Sequence, residues 1–121
     1  MRKDIANHYI DEAAGEARSK YISSGVGQES TYLFKSFQAK EFKAVGYLGP
    51  VPTLIQVEVD VTGLTPQEAA DYIITTETKW VQVLSMIEKI RRSGKIRIES
   101  LVEPEEISQA CEEILEILKT F

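Results

Sequence analysis

Apolar residues recur along this chain at helical spacing. Over residues 4–22, Ile5, Tyr9, Ala13, Ala17 and Tyr21 fall near one face, with Ile10, Ala14 and Ile22 beside it. Residues 28–45 repeat the pattern. There Leu33, Phe34, Phe37, Phe42 and Val45 spread over a wide arc that includes Glu41 and reads as core packing. The sharpest local signal follows at "LTPQEAADYI": Thr65 is an N-cap, Pro66 suits the first helical position, and Glu68 completes a capping box. From Pro66 onward, Ala69, Ile73, Thr76, Trp80, Val83, Ile87 and Ile90 follow in steps of four and three, a heptad-like seam widened by Leu84 and Met86. This predicts a long helix over about 66–98, with Gly94 the position at which it can stop or kink. Pro104 opens a last helix over 104–119, with acids in its first turn and an apolar stripe of Ile107, Ala110, Cys111, Ile114, Leu115 and Leu118.

Residues 52–61 pose the one real conflict. Val57, Val59 and Val61 alternate with Glu58 and Asp60, the period of a half-buried strand, yet Leu54, Val57 and Val61 also share a helical side. A strand needs a partner. Only "KIRIESL", where Ile96 and Ile98 alternate, is available, and a two-stranded ribbon alone is marginal. A short helix over 52–61 is therefore expected, although β-branched residues lower helix propensity. The fold class that follows is all-α: a small helical bundle in one domain, 1–121, with one long central helix.

Breakers separate these elements. "GYLGPVP", residues 46–52, holds two glycines and two prolines. "SSGVGQES", residues 23–30, reads as an interhelical turn, because a phosphate loop would need a lysine after Gly27 or a third glycine after a strand. Gly15 costs about 1 kcal/mol against alanine inside a helix, which suggests a packing reason for it.

Composition narrows the class of protein. The 121 residues are 43% hydrophobic, enough for a core, and the net charge of −5 disfavours nonspecific binding to a phosphate backbone. Charge is unevenly placed: residues 79–97 hold six Lys or Arg and one Glu, whereas 99–121 hold seven Glu and one Lys. These blocks can pair within the chain or between chains. Cys111 is the single cysteine, which suits a reducing compartment. No run approaches the ~18 apolar residues of a membrane span, and the first residues lack the apolar core of a signal peptide. A protein made in the cytoplasm, without membrane insertion, is expected.

Candidate chemistry is sparse. His8 is the single histidine, and its acidic neighbours Asp4, Asp11 and Glu12 fit a helix-face hydrogen bond better than a triad or zinc site. Cys111 lies on an apolar stripe and reads as a small buried hydrophobe. On a helix Glu58 and Asp60 point apart, which argues against a metal site. "EKIRRSGKIR" could meet phosphate, but no helix-turn-helix pattern accompanies it. No catalytic, cofactor-binding or metal-binding residue is assigned.

The stretches "IDEAAGEARSKYISSGVGQESTYLFKSFQAKEF", "GPVPTLIQVEVDVTGLTPQEAADYI", Trp80 and "IEKIRRSGK" together resemble a family of small helical proteins and domains in tailed-phage and prophage genomes. The resemblance spans about Ile10 to Leu101. Relatives are alanine-rich after the proline, where this chain has "QVEVDV". The family is encoded near tail or tail-fibre genes and has no established enzymatic activity. It implies a noncatalytic protein associated with the phage tail or its assembly, made in the host cytoplasm and either carried in the virion or acting in assembly alone. The other reading is a phage-encoded regulatory adaptor that binds a host protein.

Helix length adds an expectation about partners. A helix over 66–98 would be about 50 Å long at ~1.5 Å per residue, against a diameter near 35 Å for a compact domain of this size. A homo-oligomer, or a contact with tail proteins, through Ile73, Trp80, Val83, Ile87 and Ile90 would cover such a helix.

Overall fold

The computed structural model describes residues 1–21 and 28–121. Among these residues five helices follow in order: α1 (Lys3–Ser19), α2 (Gln28–Ala44), α3 (Thr53–Thr62), α4 (Pro66–Ser100) and α5 (Pro104–Lys119). No strand occurs among the described residues, so the fold is all-α. The expected turn at residues 23–27, and the end of the first helix at Ile22, lie outside the described residues. Where length alone suggests one domain, the chain groups into two compact units, one of Met1–Ser23 with Gln82–Phe121, the other of Ser24–Val81. Helix α4 gives its first half to the central unit and its second half to the terminal one.

In the central unit the capping box forms as the sequence predicts. The Thr65 backbone N–H donates to Glu68 Oε1 at 3.1 Å, and the Glu68 N–H donates to Thr65 Oγ1 at 3.2 Å. Leu64 packs on the core that holds Ala69, the staple expected across an N-cap. That core comprises Ala39 and Phe42 of α2, Ile55 of α3, and Ala69 and Ala70 of α4.

The conflict at residues 52–61 resolves as helix α3. Its N-cap, Pro52, offers no side-chain acceptor. Instead Gln38 of α2 reaches over, and its Oε1 accepts the Leu54 N–H at 2.8 Å, satisfying one of the amides a helix start leaves orphaned. Gly63 ends the helix in the left-handed region at φ 76°, its N–H donating to the Val59 carbonyl at 2.9 Å. Helix α2 ends through Gly46 and Tyr47, both at positive φ. Tyr47 is held there by its hydroxyl, which donates to Asp71, and by its ring, edge-on to Phe42 at 5.6 Å.

The terminal unit packs α1, α5 and the second half of α4. Ala6, Ile10, Ala14 and Ala17 line the buried side of α1, while Ile5 and Tyr9 on the neighbouring stripe are exposed. The small alanines let α5 approach, and Cys111 Sγ lies 3.9 Å from the Ala6 carbonyl oxygen. Ile87 and Ile98 of α4 meet Ile107, Ala110, Ile114 and Leu118 of α5 in the same core.

The two mid-helix glycines exchange the roles expected of them. Helix α4 runs through Gly94 to Ser100. A Cβ built on Gly94 would lie 3.0 Å from Ile114 Cδ1 and 3.1 Å from its Cγ2, so this glycine admits α5 at close range. At Gly15 a Cβ would meet only an Arg18 side-chain nitrogen, at 3.9 Å.

Candidate interaction surface

The seam of α4 is taken up by the chain's own cores. Ile87 is fully buried in the terminal core, and Val83 and Ile90 pack against it. Ile73 packs on the central core, and Trp80 stands edge-on to Tyr32 with ring centroids 4.6 Å apart. All five residues named from the heptad spacing are thus buried or half-buried against α1, α2, α3 or α5 within their own units. The spacing correctly marks an apolar face of α4, but that face meets helices of the same chain.

Helix α2 carries an exposed apolar stripe. Its core side is Tyr32, Ser36, Ala39 and Phe42. Ser36 Oγ donates to a Glu77 carboxylate oxygen, Lys40 Nζ meets the other oxygen at 3.1 Å, and Lys35 pairs with Glu58 of α3 at 3.2 Å. These bonds turn the opposite side of α2 outward. Leu33, Phe34 and Phe37 lie there, 70%, 62% and 60% exposed. The sequence reading of the arc as core is therefore corrected for Leu33, Phe34, Phe37 and Val45, all exposed, whereas Phe42 is buried. The pattern misled because α2 is apolar on both sides, and only the neighbouring helices decide which side they cover.

Helix α3 adjoins α2. Glu58 faces α2 through its Lys35 contact, Gln38 of α2 caps the Leu54 backbone N–H, and Ile55 faces the core. Leu33, Phe34 and Phe37 form an apolar stripe on α2, and Val57 and Val61 are exposed on the adjoining helix α3. Clusters of this kind, unlike scattered single residues, mark contact sites.

The charged blocks behave differently. Asp11 of α1 receives Arg91 Nη1 at 3.0 Å and Lys95 Nζ at 2.9 Å, and Arg91 also grips Glu88 at 2.8 Å. Lys95 first, then Arg91, holds the Asp11 carboxyl below its ordinary range. Arg97 pairs with Glu113 of the acidic last helix at 2.7 Å. These pairs all lie inside the terminal unit.

The candidate chemical residues stay apart. His8 Nε2 lies 3.2 Å from Glu12 Oε1 on an exposed helix face. Cys111 is buried, and desolvation pushes its thiol up, away from the thiolate a nucleophile needs. Glu58 bonds Lys35 and Asp60 accepts from Gln56. No group of His, Cys, Asp and Glu suited to a metal ion occurs among the described residues, and no described helix is long and apolar enough to cross a membrane. No protein-family model matches the chain, and neither a curated protein nor a solved structure matches it.

Proposed function

We propose that this chain is a noncatalytic protein that works through helix–helix contacts, and that its setting is the tail apparatus of a tailed phage. The observation that carries the first half is the outward apolar face of α2, where two phenylalanines and a leucine stand exposed, with Val57 and Val61 exposed on α3. Such a surface costs solubility unless a partner covers it. The setting rests on the likeness of the stretch from about Ile10 to Leu101 to phage and prophage proteins encoded near tail genes. His8 and Cys111, the residues most suited to catalysis, lie in environments that fit structural duties.

Mass spectrometry of purified particles and of tail intermediates, from the phage or prophage that encodes the chain, tests the setting. Its presence in either supports a structural or assembly role. Absence from both overturns that role and leaves the adaptor that binds a host protein. A Phe37→Glu variant that folds but no longer enters particles would tie the role to α2.

A further inference from the structure

The outward face of α2 has the layout of a surface that fits a second copy of itself. Along one stripe the order is Ser30, then Leu33 and Phe34, then Phe37, then Glu41. These positions are three or four residues apart and so neighbour one another on the helix. All five are exposed. A hydroxyl donor stands at one end, a carboxylate acceptor at the other, and apolar groups lie between. Rotating such a stripe by a two-fold axis between Phe34 and Phe37 sets Phe34 of each copy against Phe37 of the other. The same rotation brings Ser30 of each copy to Glu41 of the other. Isologous pairing demands this kind of self-complementarity, and paired phenyl rings favour offset or edge-on contact.

Area points the same way. A phenylalanine can bury about 150–250 Å², so Phe34 and Phe37, exposed by 62% and 60%, each offer on the order of 120 Å². With Leu33, Val57 and Val61 the apolar surface reaches roughly 500–600 Å², the upper end for a monomer's largest patch. A standard interface takes about 800 Å² from each partner, a difference the polar rim of Ser30, Lys40 and Glu41 can supply. A membrane fits less well: Glu41 sits at the edge of the apolar stripe, Lys35 and Lys40 are engaged by Glu58 and Glu77, and the chain carries a net charge of −5.

We infer that two copies of the chain associate through an antiparallel α2 pair centred between Phe34 and Phe37, with Val57 and Val61 at its flank. This rests on the reading of α2 as an interaction face and names its occupant. The dimer forms with a dissociation constant in the micromolar range, as a contact at the small end of the standard size allows.

Sedimentation equilibrium of the purified chain from about 1 to 300 μM is the direct test. The expected result is a mass rising from 13.6 kDa toward twice that value. Phe37→Glu should weaken association at least tenfold while leaving the helical circular dichroism unchanged, because the side chain faces solvent in the monomer. Mixing a Phe34→Cys protein with a Phe37→Cys protein under mild oxidation should give the cross-linked heterodimer, whereas Val102→Cys, exposed in the terminal unit, should not. A monomer across the whole range overturns the inference, as does a dimer that Phe37→Glu leaves intact. Flotation with phosphatidylglycerol vesicles that Phe37→Glu abolishes would give the face to lipid instead and also overturn it. A monomer that is still found in phage particles removes the dimer and keeps the tail reading. A dimer absent from particles and intermediates does the reverse.

Discussion

Replacing Gly94 by alanine pits helix propensity against packing, and Gly15 supplies the matched control in the same unit. Each substitution removes a flexible residue from a helix interior, a gain of about 1 kcal/mol. At Gly15 the new methyl meets only an Arg18 nitrogen at 3.9 Å, an ordinary contact, so the gain should appear almost whole. At Gly94 it meets Ile114 Cδ1 at 3.0 Å and Cγ2 at 3.1 Å, inside normal contact distance. Ile114 is buried in the core between α4 and α5, where overpacking costs about 1–3 kcal/mol. Gly94→Ala should therefore be neutral to destabilising, by up to ~2 kcal/mol once the propensity gain is subtracted. Urea titrations followed by circular dichroism read both variants. Ile114→Val removes the Cδ1 atom and alone costs about 0.5–1.5 kcal/mol. In the Gly94→Ala background it should cost less, because it relieves the contact. If Gly94→Ala stabilises as much as Gly15→Ala, the close approach of α5 at this glycine is wrong.

Thr65→Ala should lower stability by ~1 kcal/mol, the usual cost of losing an N-cap, and Trp80 fluorescence reports it because the indole packs on Tyr32 in the same unit. An unchanged denaturant midpoint would show that the cap does not hold the start of α4. Ile87→Ala, at a fully buried site, should cost 2–5 kcal/mol, by the range found for buried isoleucines (about 2–5); Phe37→Ala, on the outward face, should stay within about 0.5 kcal/mol at concentrations where the chain is monomeric. Equal losses would reverse the assignment of core and surface. Asp11 has its carboxyl lowered by Lys95 and Arg91. Its contribution is therefore present above the ordinary carboxylate pKa of about 3.9 and is lost as pH falls through the lower folded value. The midpoint difference between wild type and Asp11→Asn should be full at pH 6 and shrink below about pH 4; a difference constant down to pH 2 would refute the ion cluster.

Local chemistry is what the chain's sequence determined. The start of α4 at Pro66 follows from Thr65 and Glu68 alone, because a capping box closes its hydrogen bonds within four residues. The acids at the head of α5 and the glycine at the end of α3 act over equally short distances. All-α architecture follows from such signals taken together with the apolar spacing. Residues 52–61 sat at the limit, since three valines weaken the helix and its second amide, that of Leu54, is capped from α2 by Gln38, a contact no local pattern contains.

Tertiary structure decided which faces are covered. Helix α4 shows one apolar seam in the sequence, yet Ile73 serves the central core while Val83, Ile87 and Ile90 serve the terminal one. Helix α2 is apolar on two sides, and the buried one is the side whose Ala39 and Phe42 meet Ile55, Ala69 and Ala70 in the central core. The face left over, with Phe34 and Phe37, became visible as a contact surface only then. Gly94 likewise has the local character of a helix breaker, and only Ile114 packed against it gives the glycine its role. The physical reason is common to all three. Periodicity records that a side chain is apolar and where it points on its own helix, whereas burial depends on a second surface brought close from elsewhere in the chain.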